Sequence, residues 1–101
     1  MRNGKKYDTG KLRWDLLPIS PIRQVIRVLM YGAKKYGDYN WEQVEDPKPR
    51  YYNACMRHLT AGIQKTNDSE SGLPHLAHAI CNLIFLLEFE LTQKKEKKDD
   101  N

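Results

Sequence analysis

The sequence lacks any segment in which apolar and polar residues alternate as a half-buried strand requires. No glycine-rich loop follows such a segment, so P-loop and dinucleotide-binding readings both fail. Internal repeats are absent as well. The only two cysteines, Cys55 and Cys81, lie inside apolar helical patterns, which suits buried reduced thiols and not a disulfide scaffold. The first residues, MRNGKKYDTGK, contain no apolar stretch of the signal-peptide kind, and the expected location is cytoplasmic. The most apolar stretch, 73–91, approaches bilayer length, but His75, His78, Asn82 and Glu88 interrupt it, so no membrane span is expected.

What remains is a chain of 101 residues, the size of one small domain. A chain of this length buries only about two-thirds of its unfolded surface, which makes oligomer formation attractive. Hydrophobic residues at 40% and charged residues at 30% describe an ordinary folded protein and exclude a disordered one. A formal charge of +4 favours an anionic partner without distinguishing free nucleotide from nucleic acid or an acidic surface.

Periodicity predicts an all-α fold, a compact bundle of three to four helices with an ordered N-terminal arm and a frayed charged C-terminal tail. Residues 1–18 form the arm, expected to pack on the body because it carries Tyr7, Trp14, Leu16 and Leu17. Ser20 and Pro21 read as N-cap and first helical residue of a helix over 21–36, closed by Gly37. Its core stripe is Ile22, Val25, Ile26, Leu29 and Ala33. A loop follows, then a helix over 50–65 with Tyr52, Met56, Leu59 and Ile63 as its apolar stripe. A third helix covers 73–92, with Pro74 tolerated in its first turn. The single domain is thus 1–92, and 93–101 is a disordered tail.

On the third helix His75, His78 and Asn82 fall within an arc of about 60°. Such a polar stripe faces solvent, satisfies buried polar partners or lines a ligand site. Solvent fits worst, because Ala79 and Leu86 continue the same face. His75 and His78 can share an ion, with Asp68, Glu70 or His58 completing its shell. Glu42 and Glu45 have the spacing of a helical carboxylate pair, but the prolines that follow mark the stretch as loop. Lys34 and Lys35 stand beside Tyr31, Tyr36, Tyr39 and Trp41, while Arg50 and Arg57 lie on the next helix. Cations for phosphate and aromatic faces for a base together describe a nucleotide site.

Four blocks in order, KYDTGKLRWDLLP, YGAKKYGDYNW, RYYNACMRHL and DSESGLPHLAHAICN, resemble the phage dATP/dGTP diphosphohydrolase N-terminal domain family. That family is similar to the all-α, MazG-type nucleotide pyrophosphohydrolases. The resemblance runs from residue 6 to residue 90. It implies a helical bundle, homo-oligomers, purine (deoxy)nucleotide ligands and a divalent ion, Mg2+ or Mn2+, in the cytoplasm of an infected bacterial host. Carried over by position, it marks Lys34, Lys35, Tyr36, Gly37, Asn40 and Trp41, then Arg57 and His58. In the last block it marks Asp68, Glu70, Ser71, Gly72, His75, His78 and Asn82. MazG-type enzymes hold magnesium with an ExxE pair and an ExxD pair. Here HLAH stands at the later position and no helical ExxE is visible.

Two functions share this site. In the first, a metal-assisted nucleotide pyrophosphohydrolase, Lys34, Lys35, Tyr36, Asn40, Trp41, Arg50, Arg57, His58 and Asn82 bind the nucleotide. Asp68, Glu70, His75 and His78 then hold an ion or activate water. In the second, a non-catalytic sponge sequesters a nucleotide of host immune signalling as an anti-defence protein and needs no metal. A third reading, a nucleic-acid or protein interaction module on the Arg23, Arg27 and Lys34 face, is the least favoured.

Overall fold

The computed structural model describes residues 4–64 and 66–99, with side chains described as far as Gln93. Three helices pack together: α1 (Ile19–Tyr36), α2 (Pro47–Gln64) and α3 (His75–Asp99). Two short 3-10 turns, Trp14–Leu16 and Asn40–Gln43, sit before α1 and α2. No strand occurs among the described residues beyond a single bridge between Asn67 and Pro74.

Each helix begins earlier or ends later than periodicity suggests. α1 starts at Ile19 with Pro18 as its N-cap and no side-chain cap bond, so Ser20 is inside the helix and not its cap. Pro21 still lies in the first turn, where its missing N–H costs nothing. The same rule lets α2 start at Pro47, with Pro49 also in the first turn, where the sequence reads as loop. Gly37 closes α1 as expected: its φ of 101° is open to glycine, and its N–H bonds Ala33 O at 2.8 Å. α3 runs as far as Asp99, and residues 100–101 lie outside the described ones.

α3 is the central element. Along one side it packs on α1 through a small core of Val25, Val28, Ala77, Cys81 and Phe85. Along the other it packs on α2, where buried Cys55 donates its thiol hydrogen to Ala79 O at 3.6 Å. Alanine and cysteine at these positions let both neighbours approach closely. Phe85 anchors the rest: Trp41 stacks on it at 4.7 Å, Tyr51 tilts against it at 5.0 Å, and Phe89 meets the edge of Trp41 at 5.8 Å. The Tyr51 hydroxyl donates to Trp41 O at 2.9 Å, tying the loop before α2 to the bundle.

Several apolar residues expected in the core are outside it. Tyr52, Met56, Leu59 and Ile63, the expected stripe of α2, are exposed, and Tyr51, Ala54, Cys55 and His58 take the inward positions. On α1, Ile26 and Leu29 are likewise exposed while Val28 is buried. The N-terminal arm is not packed on the body: Tyr7, Leu12, Trp14 and Leu16 are each more than two-thirds exposed. On α3 Leu76, Ile80, Leu83, Ile84, Leu87 and Leu91 form an exposed row at helical spacing. Over His75–Gln93 this helix is long and apolar enough to cross a membrane by length and composition alone.

Replacing Phe85 with alanine removes the ring on which Trp41 and Tyr51 rest. Urea unfolding followed by circular dichroism should show a loss of about 3–5 kcal/mol, and tryptophan emission should shift as Trp41 is released.

Candidate functional site

Because α1 and α2 each pack on α3 and hardly touch one another, a cleft opens between them with α3 as its floor. Its volume is about 800 Å3. Tyr31, Lys35 and Tyr36 line it from α1, Arg50, Tyr51, Ala54 and His58 from α2, and His78, Cys81, Asn82 and Phe85 from α3. Asn40 and Trp41 join near Phe85, and Asp68 and Glu70 join near His78. His78 and Phe85 are two turns apart, so the polar and aromatic parts are separated by about 10 Å along the floor.

The turn between α2 and α3 places the carboxylates. Asp68 N–H bonds Leu73 O at 2.8 Å, Gly72 N–H bonds Asp68 O at 2.8 Å, and His75 N–H bonds Thr66 O at 2.9 Å. Gly72 takes a φ of 74°, where a side chain would strain the turn. Inside this frame Asp68 Oδ2 accepts from the Ser71 N–H at 2.8 Å and from its hydroxyl at 3.0 Å. Burial pushes the Asp68 carboxyl up, but the two bonds from Ser71, with His78 and His58 nearby, outweigh it and hold the group below its usual range.

Ser71 also determines the state of a histidine. Its single hydroxyl hydrogen goes to Asp68, and its oxygen already accepts the Leu73 N–H at 3.1 Å. The contact of 2.7 Å to His78 Nε2 is therefore a bond that the imidazole donates. His78 is thus the Nε2–H tautomer and keeps a bare Nδ1. Its ring stacks on His58 at 4.5 Å, and His58 meets His75 with Nδ1 atoms 3.0 Å apart. Burial holds both His58 and His78 below the usual imidazole range. Asp68 opposes this at both, and neighbouring imidazoles reinforce it at both. His58 and His78 are thus held toward the neutral form, the state in which imidazole binds a metal. His58, Asp68 and His75 each bring one ligand atom, and these atoms lie within 4.8 Å of one another.

Lys35 and Glu70, two further charged residues of the lining, pair with each other. Lys35 Nζ forms an ion pair with Glu70 Oε1, which also accepts the Tyr31 hydroxyl at 2.8 Å. These bonds, Lys35 first, hold Glu70 below its usual range and raise Lys35. The pair links the turn to α1 and occupies both residues. Asn82 is buried, and its amide donates to His78 O at 2.9 Å. Burial pushes the Cys81 thiol up to about 12, so its thiol stays protonated at neutral pH.

Of the residues singled out by sequence, the cleft brings together Lys35, Tyr36, Asn40, Trp41, Arg50, His58, Asp68, Glu70, His78 and Asn82. Lys34 and Arg57 are exposed and do not line it. His75 does not line it either but touches His58 behind the wall. Trp41 gives a ring face to Phe85 instead of leaving both open to a base. Ser71, which the resemblance marks but the chemistry of the site leaves without a role, proves to orient both Asp68 and His78. Tyr51 had no signal beyond its adjacency to Tyr52.

Comparison with known proteins gives a consistent picture. Residues 1–100 match the family described as dATP/dGTP diphosphohydrolase, N-terminal. A "dATP/dGTP diphosphohydrolase" of Salmonella phage PMBT28 is 36% identical over 99 residues, covering 96% of this chain. The chain spans 32% of that relative's length. No solved structure matches.

Changing Ser71 to alanine takes away one acceptor and one donor between Asp68 and His78. Stability should fall by about 1–3 kcal/mol. Long-range 15N NMR should report Nε2–H at His78 in the parent chain, and loss of that bond in the variant.

Proposed function

The chain belongs to the dATP/dGTP diphosphohydrolase N-terminal domain family, and from that premise we propose that the cleft binds a purine deoxynucleoside polyphosphate and directs its hydrolysis. The observation that carries this reading is the continuity of one cleft from an aromatic and amide region to a His/Asp cluster. Its volume of about 800 Å3 suits a nucleotide. The base would lie toward Trp41 and toward Asn40 and Asn82, whose side-chain amides offer both donors and acceptors. The phosphates would then extend toward Arg50, His58 and Asp68. Lys35 would reach them only by leaving Glu70.

A divalent ion fits the donors at this end, where His58, Asp68 and His75 would hold it. Such an ion supplies Lewis-acid polarisation of a phosphoryl oxygen and lowers the pKa of bound water. The chain's own contribution is positional. Ser71 aims Asp68, the stack on His58 fixes His78, and the bare Nδ1 of His78 can accept a proton from water. Purified protein given dATP or dGTP with Mn2+ or Mg2+ should release cleaved phosphate products, followed by 31P NMR, and a chelator should stop this. Neither turnover nor nucleotide binding by calorimetry would reject the proposal.

A second reading, binding without cleavage, draws on the pairing of Glu70 with Lys35, which takes one carboxylate out of the chemistry. Mass spectrometry of heat-denatured protein should then recover intact nucleotide, whereas cleaved product alone supports the hydrolase.

The same domain is proposed to act as a homodimer. The α2 row of Tyr52, Met56, Leu59 and Ile63 and the α3 row from Leu76 to Leu91 share the side of the helix pair turned from the cleft. These ten exposed side chains present on the order of 800 Å2 per copy, the size of one side of a stable interface. Leu76, Ile80, Leu83 and Leu87 repeat at the four-three-four spacing by which identical helices pair. Light scattering after gel filtration should give twice the chain mass, and L83D/L87D should give the monomer. A monomeric parent chain, or a mass retained only with detergent or lipid, would overturn the dimer.

A further inference from the structure

We propose that His58, Asp68 and His75 form a site for a transition-metal ion, bound through the two Nδ1 atoms, that discriminates against magnesium. This deepens the functional reading above in naming the class of ion, but the site would exist whether or not a nucleotide is cleaved.

The distance between the two nitrogens is the first argument. Two nitrogens about 2.1 Å from one ion and at right angles to each other are about 3.0 Å apart; at the tetrahedral angle they are about 3.4 Å apart. The observed Nδ1–Nδ1 separation is 3.0 Å. That separation is the one a five- or six-coordinate ion requires. The ring centroids, 5.2 Å apart, show the two nitrogens facing each other, so each ring would turn to aim its lone pair at a shared ion. They come from separate elements, α2 and the first residue of α3, so the approach is not imposed by helical spacing.

Proton accounting is the second. Two Nδ1 atoms in contact share one hydrogen, carried by one ring and accepted by the other. An ion takes the place of that hydrogen, and the ring that carried it shifts its proton to Nε2. The proton moves between nitrogens of one ring, so the exchange changes no charge on the protein.

Asp68 supplies the third ligand already oriented. Both hydrogen bonds from Ser71 end on Oδ2, which leaves Oδ1 for an ion. His78 donates its Nε2–H to Ser71 and so supports the carboxylate from one step away. Glu70, engaged by Lys35 and Tyr31, stays outside the cluster.

Two imidazoles and one carboxylate suit Mn2+, Co2+ or Zn2+, whereas Mg2+ prefers oxygen ligands throughout. Three protein ligands leave further positions open, and His58 and Asp68 are both on the cleft wall. The ion would therefore present those positions to the cleft.

The test uses the whole chain, stripped with a chelator and free of nucleotide. Co2+ should bind one per chain and develop the visible bands of nitrogen ligation, and calorimetry should rank Mn2+ and Zn2+ at least tenfold tighter than Mg2+. H75A, which removes no cleft-lining group, should lower Co2+ affinity by more than tenfold. Mn2+ should broaden the NMR signals of the His58 and His75 rings in the parent chain, a readout that stands even where a variant fails to fold. Unchanged affinity in H75A, tighter binding of Mg2+ than Mn2+, or broadening that spares both rings would overturn the site. Nucleotide turnover that survives in a protein failing these tests would leave the hydrolase reading intact and reject only this assignment.

Discussion

The structure rests on α3 being shared. One helix has to receive α1 along one side and α2 along another, and it does so with small side chains, Ala77, Ala79 and Cys81, where the neighbours come closest. Since α1 and α2 meet α3 and hardly each other, the space between them is a cleft and not a core. Polar groups can line such a space without the cost of full burial. That is why His78 and Asn82 belong on a helix that is otherwise so apolar.

Much of this was legible in the residues. Three helices follow from periodicity and from Gly37, and the stripe of His75, His78 and Asn82 is readable because helical spacing converts directly into direction. The turn holding Asp68 and Ser71 is visible as a break in that pattern. Less legible was which apolar row faces inward. α2 offers two, and Tyr52, Met56, Leu59 and Ile63 look more like a core than Tyr51, Ala54, Cys55 and His58. Periodicity measures how apolar a face is, not whether its partner belongs to the same chain. On α1 Val25 is in the core as expected, but Val28 and not Ile26 joins it toward Phe85.

Charge was harder still to place. Lys34 and Lys35 are adjacent, but adjacent helical residues point about 100° apart, and only one can reach the cleft. Arg57 and His58 differ in the same way. Nor can sequence show that Lys35 meets Glu70, 35 positions away, because that contact depends on how α1 docks. The prolines misled through an incomplete rule: they forbid a helix interior but favour its first turn, so Pro47 begins a helix that it seemed to exclude.

The two ends of the cleft also differ in how far apart their parts lie along the chain. His58 and His75 are separated by 17 positions and joined by a turn with its own backbone bonds. The wall contributed by α1 is tied to that turn only through contacts such as Tyr31 with Glu70, 39 positions apart. Closing the shorter loop costs less chain entropy and happens sooner. The histidine cluster is therefore a local product of the α2–α3 hairpin, while the cleft exists only once α1 has docked. A swing of α1 outward would open the binding space to solvent and leave the cluster assembled beneath it.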